Sequence, residues 1–235
     1  MPDNMLDRRN IMKAGGLITA GVAAFSAAGA TAAGAAPQTR SFTALPLPFD
    51  PKSIVGLSER LLLSHHDNNY VGAVKRLGAI GTALTALDPT TAPGFEINGL
   101  RREELIAWNS MILHELYFAG LGAPARPSMA LASAIERDFG SQARWQSEFT
   151  AMGKALGGGS GWVLLTWSQR DNRLVNQWAA DHTMMLAGST PILALDMYEH
   201  AYALDYGAKA AAYVDAFMGA VNWASADRTF ARAAG

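Results

Sequence analysis

The chain of 235 residues contains no cysteine. That absence excludes disulfides, thiolate metal ligation and a cysteine nucleophile. Histidine is scarce as well, with five copies: His65, His66, His114, His182 and His200. Charged residues make up only 17% and balance to a formal net charge of −1. A nucleic-acid partner, which ordinarily shows as a strongly basic domain, therefore has no electrostatic support and is not expected. What the chain does have is apolar material, half of all residues, enough for one or two domains with a sizeable core.

The first 36 residues read as an address. Arg8 and Arg9 are adjacent, Lys13 follows, and from Ala14 to Ala36 no charge interrupts a run of small residues. The run has the length of a bilayer span, but its Ala and Gly content gives little apolar driving force. Asp7-Arg8-Arg9-Asn10-Ile11-Met12-Lys13 resembles the twin-arginine export consensus, and Ala33-Gly34-Ala35 supplies a small-residue cleavage site before Pro37. The expectation is a twin-arginine signal peptide over 1–36, a periplasmic or secreted product, and no membrane anchoring after cleavage. Removing it leaves 199 residues of net charge −2. That route carries folded proteins, often with a cofactor already loaded, so it hints at one here.

Beyond a proline-punctuated entry, Phe42 to Pro51, Ser58 caps an apolar pattern of helical spacing that runs through Val71, Val74, Leu77 and Ile80 to about Leu87. Asp88 to Phe95 reads as a loop, and a second long helix is expected from about Arg102 to Ala119. Together they predict an antiparallel helical hairpin over 42–122. After Pro127 the texture changes. Helices are expected over Ser128–Phe139 and Ser141–Lys154, then strands WVLLTWS from Trp162 and RLVNQWA from Arg173, joined by a Gln-Arg-Asp-Asn turn. A short apolar run, Ile192 to Leu195, and a last helix, Lys209 to Trp223, complete an α+β region over 127–235. The fold class is α+β, with a small three-stranded antiparallel sheet.

The sharpest motif is Asp196-Met-Tyr-Glu-His200-Ala-Tyr. Asp196 and His200 are four apart and would share a face if a helical turn begins at Asp196. A carboxylate beside a neutral imidazole suits a first-row transition metal; alone, the same spacing also fits a capping Asp and a core His. The wider block, DMYEHAYALDYGAKAAAYVDAFMGAVNW, resembles the C-terminal signature of the iron/manganese superoxide dismutases, with Tyr198 where the family has Trp. FGSQARWQSEFTAMGKALGGGSGWVLLTW is similar to the family's Phe-Gly-Ser helix start and Gly-Ser-Gly-Trp strand entry. LHELYF resembles its Asn-His-x-x-Tyr-Trp block, with Leu113 and Phe118 in place of Asn and Trp.

The resemblance implies a mononuclear iron or manganese site, one per subunit, with His114, Asp196 and His200 as ligands. It implies disproportionation of superoxide and a homodimer in which Glu199 hydrogen-bonds His200 of the partner subunit. Tyr70 takes the place of the tyrosine that gates the substrate entrance. His182 takes that of the residue which hydrogen-bonds solvent at the metal, and the two would relay and position a proton. Trp108 and Trp162 read as packing. The first helix departs from the family: SERLLLSHHDNNY is about three residues short between ligand and gate. Register from the helix start makes His65 the ligand; α-helical geometry, which sets residues 65 and 70 about 140° apart, favours His66 as its substitute. The family's cross-dimer tyrosine is Ala203 here, which suggests a remodelled entrance. The alternative function is a non-enzymatic metal-binding homologue. A carboxylate-bridged di-iron protein is disfavoured, since no Glu-x-x-His occurs. The same ligands serve iron and manganese, so the metal stays open.

Overall fold

The computed structural model describes residues 40–235; the expected signal peptide over 1–36 lies outside them. The first helix, α1 (Glu59–Ser64), starts where the Ser58 hydroxyl accepts the Leu61 N–H at 3.1 Å. Such a cap contributes about 1 kcal/mol. Ser58 is itself held, through its N–H and its hydroxyl, by the carboxylate of Asp205 at 2.7 and 2.6 Å. This pins the helix start to a distant part of the chain.

The helix expected to run unbroken to Leu87 does not. From His65 to Tyr70 the backbone widens into a π turn, in which the Val71 N–H bonds the His66 carbonyl five residues back. Ordinary α geometry resumes in α2 (Val71–Ala86), which buries Val74, Leu77 and Ile80 on one stripe. Its partner α3 (Gly94–Ala119) begins well before the expected Arg102. Its first turns carry Gly94, Asn98 and Gly99, poor helix formers that hid that start. Ser110, His114, Tyr117 and Phe118 share the buried face of α3, at the offsets that align side chains along a helix.

In the C-terminal half, α4 (Met129–Phe139) is capped by Ser128 and stopped by Gly140 at φ +87°, and α5 (Gln142–Ala155) is capped by Ser141. Strands β1 (Trp162–Ser168) and β2 (Arg173–Ala179) match their expected spans, while β3 (Ser189–Asp196) extends the apolar run in both directions. The sheet is antiparallel in the order β2-β1-β3, with β1 buried along its whole length. That is why β1 reads as a continuous apolar run rather than an alternating one. At one end of the sheet, Trp162 pairs with both Ala179 and Asp196. Gly161 precedes it at φ +129°, where a Cβ would fall 2.2 Å from the Ala179 carbonyl oxygen, so only glycine fits.

Asp196 is therefore the last residue of a strand and not the start of a helical turn. A 3-10 turn, Glu199–Ala201, begins three residues later, followed by α6 (Ala203–Tyr206). The helix expected from Lys209 to Trp223 is present as α7 (Ala210–Gly219). A further helix follows it, α8 (Trp223–Ala234), started by the Asn222 side chain accepting the Ala224 N–H at 3.1 Å. Both halves contribute to one core, and the described residues form one compact unit. Among them no helix is long and apolar enough to cross a membrane.

Candidate metal centre

Four side chains from four separate elements converge where the hairpin meets the end of the sheet. His65 comes from the π turn, His114 from α3, Asp196 from the end of β3 and His200 from the 3-10 turn. One ligand atom from each lies within 4.8 Å of all the others. The Asp196 Oδ2 is the hub, 3.1 Å from His65 Nε2, 3.1 Å from His200 Nε2 and 3.5 Å from His114 Nε2. His65, His114 and Asp196 are buried, and only His200 keeps appreciable exposure, 25% of its side chain.

Burial sets the electrostatics. It lowers the imidazole pKa of His65, and it pushes that of His114 down to about 3. Burial alone would raise the Asp196 carboxyl, but the charges and hydrogen bonds of His200 and His65 outweigh it, and the net shift is downward. The centre therefore holds one carboxylate beside two imidazoles, His65 and His114, that burial keeps neutral. His114 shows what is needed to complete it. Its Nδ1 donates to the Ser110 carbonyl at 2.6 Å, which leaves Nε2 as a lone pair with no hydrogen-bond partner, facing the Asp196 carboxylate. Two electron-rich groups opposed in a dry interior are stabilised by a cation between them. Three nitrogens and one carboxylate oxygen, without sulfur, suit iron or manganese, so the residues present fit such an ion.

His182, in the loop after β2, sits beside this cluster, its ring centroid 6.1 Å from that of His114. The Trp162 indole N–H donates to His182 Nδ1 at 3.0 Å, so Trp162 orients chemistry as well as packing. With Nδ1 accepting and the pKa lowered by burial, the neutral ring carries its hydrogen on Nε2. The Asn109 amide holds the His182 carbonyl at 2.5 Å. Tyr198 stacks almost parallel between His182 and His200, with ring centroids 4.8 and 5.3 Å away and interplanar angles of 13° to each. Burial, with the nearby Asp196 charge, pushes its phenol up to about 12. In the sequence Tyr198 stands out only as a replacement for Trp, and its offset of two from His200 is the one local signal of its place. Below the cluster, the Tyr213 hydroxyl donates to the Asp196 carbonyl at 2.8 Å and fixes the end of β3 from behind.

His66 does not join the cluster. His66 and Tyr70 are neighbours, with ring centroids 5.2 Å apart, but what they hold is Leu45. The Leu45 N–H donates to the Tyr70 hydroxyl at 2.8 Å, and the Leu45 carbonyl accepts from His66 Nε2 at 2.8 Å. The Tyr70 hydroxyl in turn donates to Glu115 at 2.9 Å. Tyr70 thus has no hydrogen bond to any of the four clustered residues, and the Phe118 ring lies 5.0 Å from His65 and 6.3 Å from Tyr70. Glu199 and Ala203 are exposed. Trp108 packs against Phe42, with the Arg40 guanidinium 4.8 Å above its ring.

Comparison with known proteins gives a consistent set of relatives. Residues 127–229 match the model of the iron/manganese superoxide dismutases, C-terminal domain. An iron superoxide dismutase of Cupriavidus metallidurans is 66% identical over 188 residues, covering 80% of this chain and 95% of that protein. A manganese superoxide dismutase of Halobacterium salinarum is 36% identical over 194 residues, covering 80% and 94%. An iron superoxide dismutase of Aquifex pyrophilus is 32% identical over 193 residues, covering 78% and 88%.

Proposed function

The chain belongs to the iron/manganese superoxide dismutases, and from that premise we propose that His65, His114, Asp196 and His200 hold one iron or manganese ion per subunit and that the protein disproportionates superoxide there. The observation that carries this reading is the unpartnered His114 Nε2 facing the Asp196 carboxylate in a buried pocket. When bound, the ion supplies a one-electron couple that takes an electron from one superoxide, releasing dioxygen, and returns it to a second, which leaves with two protons as hydrogen peroxide.

The chain's own residues do the rest. Asp196 supplies the negative charge that balances the ion, and the Tyr213 hydroxyl and the β1–β3 ladder hold it in place. Ser110 fixes the tautomer of His114, so that Nε2 is always presented as a lone pair. His182, oriented by Trp162 and Asn109, offers an Nε2–H to solvent in the pocket and is the group placed to hold a proton for transfer. Tyr70 enters as the residue that ties the Leu45 segment over the hairpin side of the cluster, leaving His182 as the proton holder.

The exposure of Glu199, with that of His200, supports a homodimer in which each Glu199 reaches the partner's His200. The Arg8-Arg9 leader supports export by the twin-arginine route to a periplasmic or secreted location. The decisive experiment loads the purified protein with iron or manganese, then measures metal content and superoxide consumption together. Near-stoichiometric metal with rapid consumption is the expected result. Full occupancy without consumption would leave a metal-binding homologue without catalysis, and no occupancy would remove the centre altogether.

A further inference from the structure

His182 offers its Nε2–H beside the ligand cluster, yet it sits in the loop after β2, outside the sheet ladder. We propose that Tyr198 is the positioning residue of His182: the phenol ring fixes the plane of the imidazole and so aims its Nε2–H. The inference rests on the metal-site reading above and concerns how the chain prepares that site.

The contacts of His182 divide into two kinds. The Asn109 amide holds its carbonyl at 2.5 Å, and the Trp162 indole N–H holds Nδ1 at 3.0 Å. The first fixes the backbone and the second one ring atom, so neither stops the ring from turning. Of the rings around it, Trp162 and His114 are inclined at 50° and 47°, with centroids 5.7 and 6.1 Å away. Tyr198 is closer, at 4.8 Å, and lies within 13° of parallel. A face-on aromatic neighbour at that distance opposes rotation, since turning the imidazole drives its edge into the phenol.

Tyr198 can serve as a reference plane because it is itself built into the ligand set. Its backbone N–H donates to Asp196 Oδ1 at 2.9 Å, which leaves Oδ2 as the oxygen shared by the imidazoles. Its carbonyl accepts the Ala201 N–H at 2.9 Å and opens the 3-10 turn that carries His200. Its other face meets His200, again at 13°, with centroids 5.3 Å apart. One residue thus registers His182 against both a ligand imidazole and the carboxylate.

Ring size is part of the arrangement. The six-membered ring is flanked on both faces and meets the Trp162 indole at an angle, with centroids 6.3 Å apart. A bicyclic indole in that slot would need more room. His200 is held by its turn and Trp162 by ladder pairs on both sides, so His182, on its loop, is the member that would move. Tyr198 and His182 are then a matched pair.

The test compares Tyr198→Phe, Tyr198→Trp and Tyr198→Leu in the full chain, each alone and combined with His182→Ala. Nitrogen NMR of the metal-free protein reads the His182 ring. A single Nε2–H form is expected for the wild type and Tyr198→Phe, and mixed or averaged forms for the Trp and Leu variants. With iron loaded, a redox poise that half-reduces the wild type reads the same aim at the ion. A donor aimed at pocket solvent favours hydroxide over water, and hydroxide favours the more highly charged ion. The Trp and Leu variants should therefore raise the reduced-to-oxidised ratio about tenfold. The Phe variant should stay within about twofold, and in the His182→Ala background all three should agree within about twofold. Unchanged His182 resonances and ratios in the Trp and Leu variants overturn the proposal. So does a shift that persists without His182, which would place the effect on Asp196 or His200. A Phe variant that behaves like Leu also overturns it, by assigning the effect to the hydroxyl. Failure of the wild type to bind iron or to consume superoxide overturns instead the dismutase reading, and the metal-free NMR still decides the positioning of His182.

Discussion

Asp196 and His200 reach the centre from a sheet edge and a tight turn, where backbone hydrogen bonds fix the geometry on both sides. Trp162 pairs with Asp196 across the β1–β3 ladder, Met197 bonds the Gly161 carbonyl at 2.9 Å, and Tyr213 clamps the Asp196 carbonyl. His65 and His114 come from the hairpin, where no ladder joins the two segments. His114 is fixed by its own helix through Ser110, and His65 by a π turn that trades regular helical hydrogen bonding for a change of facing. A sheet edge specifies where a ligand goes through the backbone, so its surrounding side chains can vary, as Tyr198 does. A helical ligand depends on register, so a change in chain length around it must be absorbed nearby. Here the π turn sets that register, turning His65 into the cluster while the neighbouring His66 and Tyr70 hold Leu45.

The strongest challenge to this contrast is removal of the hub. Asp196→Asn keeps the shape of the side chain but discards its charge, and metal content measured after reconstitution should fall more than tenfold for either metal. If occupancy survives, the sheet side does not dominate binding. Next in size is the paired comparison on the hairpin side. His65→Gln should lose most of its metal, whereas His66→Gln should keep it and unfold in urea at a cost of about 1 kcal/mol for the lost Leu45 hydrogen bond. Equal metal loss in the two variants would mean that the π turn can slip by one residue.

A pH series on the metal-free protein comes third. The folded pKa of His114 is about 3, and His65 and His182 are lowered too, against 6.5 for the unfolded chain. Below 6.5 the unfolded state binds more protons, so urea stability should be full above that pH and decline as pH falls toward 5. Each such histidine contributes at most about 1.4 kcal/mol per pH unit. A flat profile would show that the hairpin histidines are not dry. The smallest effect is expected from Trp162→Phe, which leaves His182 Nδ1 without its donor at a cost of about 1 kcal/mol. Nitrogen NMR of the His182 ring should then show mixed tautomers in place of one; a single Nε2–H form in the variant would assign the orientation to Asn109 and Tyr198.

The sequence carried the sheet side well, because strands announce themselves by contiguous apolar residues. WVLLTWS and RLVNQWA occupy the spans their residues predict, and the Ser58 cap is legible as local chemistry. Other features were hidden for physical reasons. A spacing of four between Asp196 and His200 suggests a helix, but a strand end and a 3-10 turn bring the two side chains equally close. A π turn leaves no compositional mark in an apolar pattern. The helix α8 does not announce itself because its interior, Ala-Ser-Ala-Asp-Arg-Thr, looks like surface, although Trp223, Ala226 and Phe230 face the core. The engagement of Tyr70 with Leu45 and Glu115 joins segments far apart in sequence, and no local pattern encodes it.

The near-parallel stack of His182, Tyr198 and His200 has a spectroscopic consequence. The Tyr198 ring protons lie within the shielding cones of two imidazoles at once, so their resonances should be displaced well upfield of ordinary tyrosines. An iron or manganese ion on His200 is paramagnetic and would shift and broaden these resonances far beyond any change in ring current. A single aromatic side chain would then record, without added label, whether the adjacent imidazole is bound.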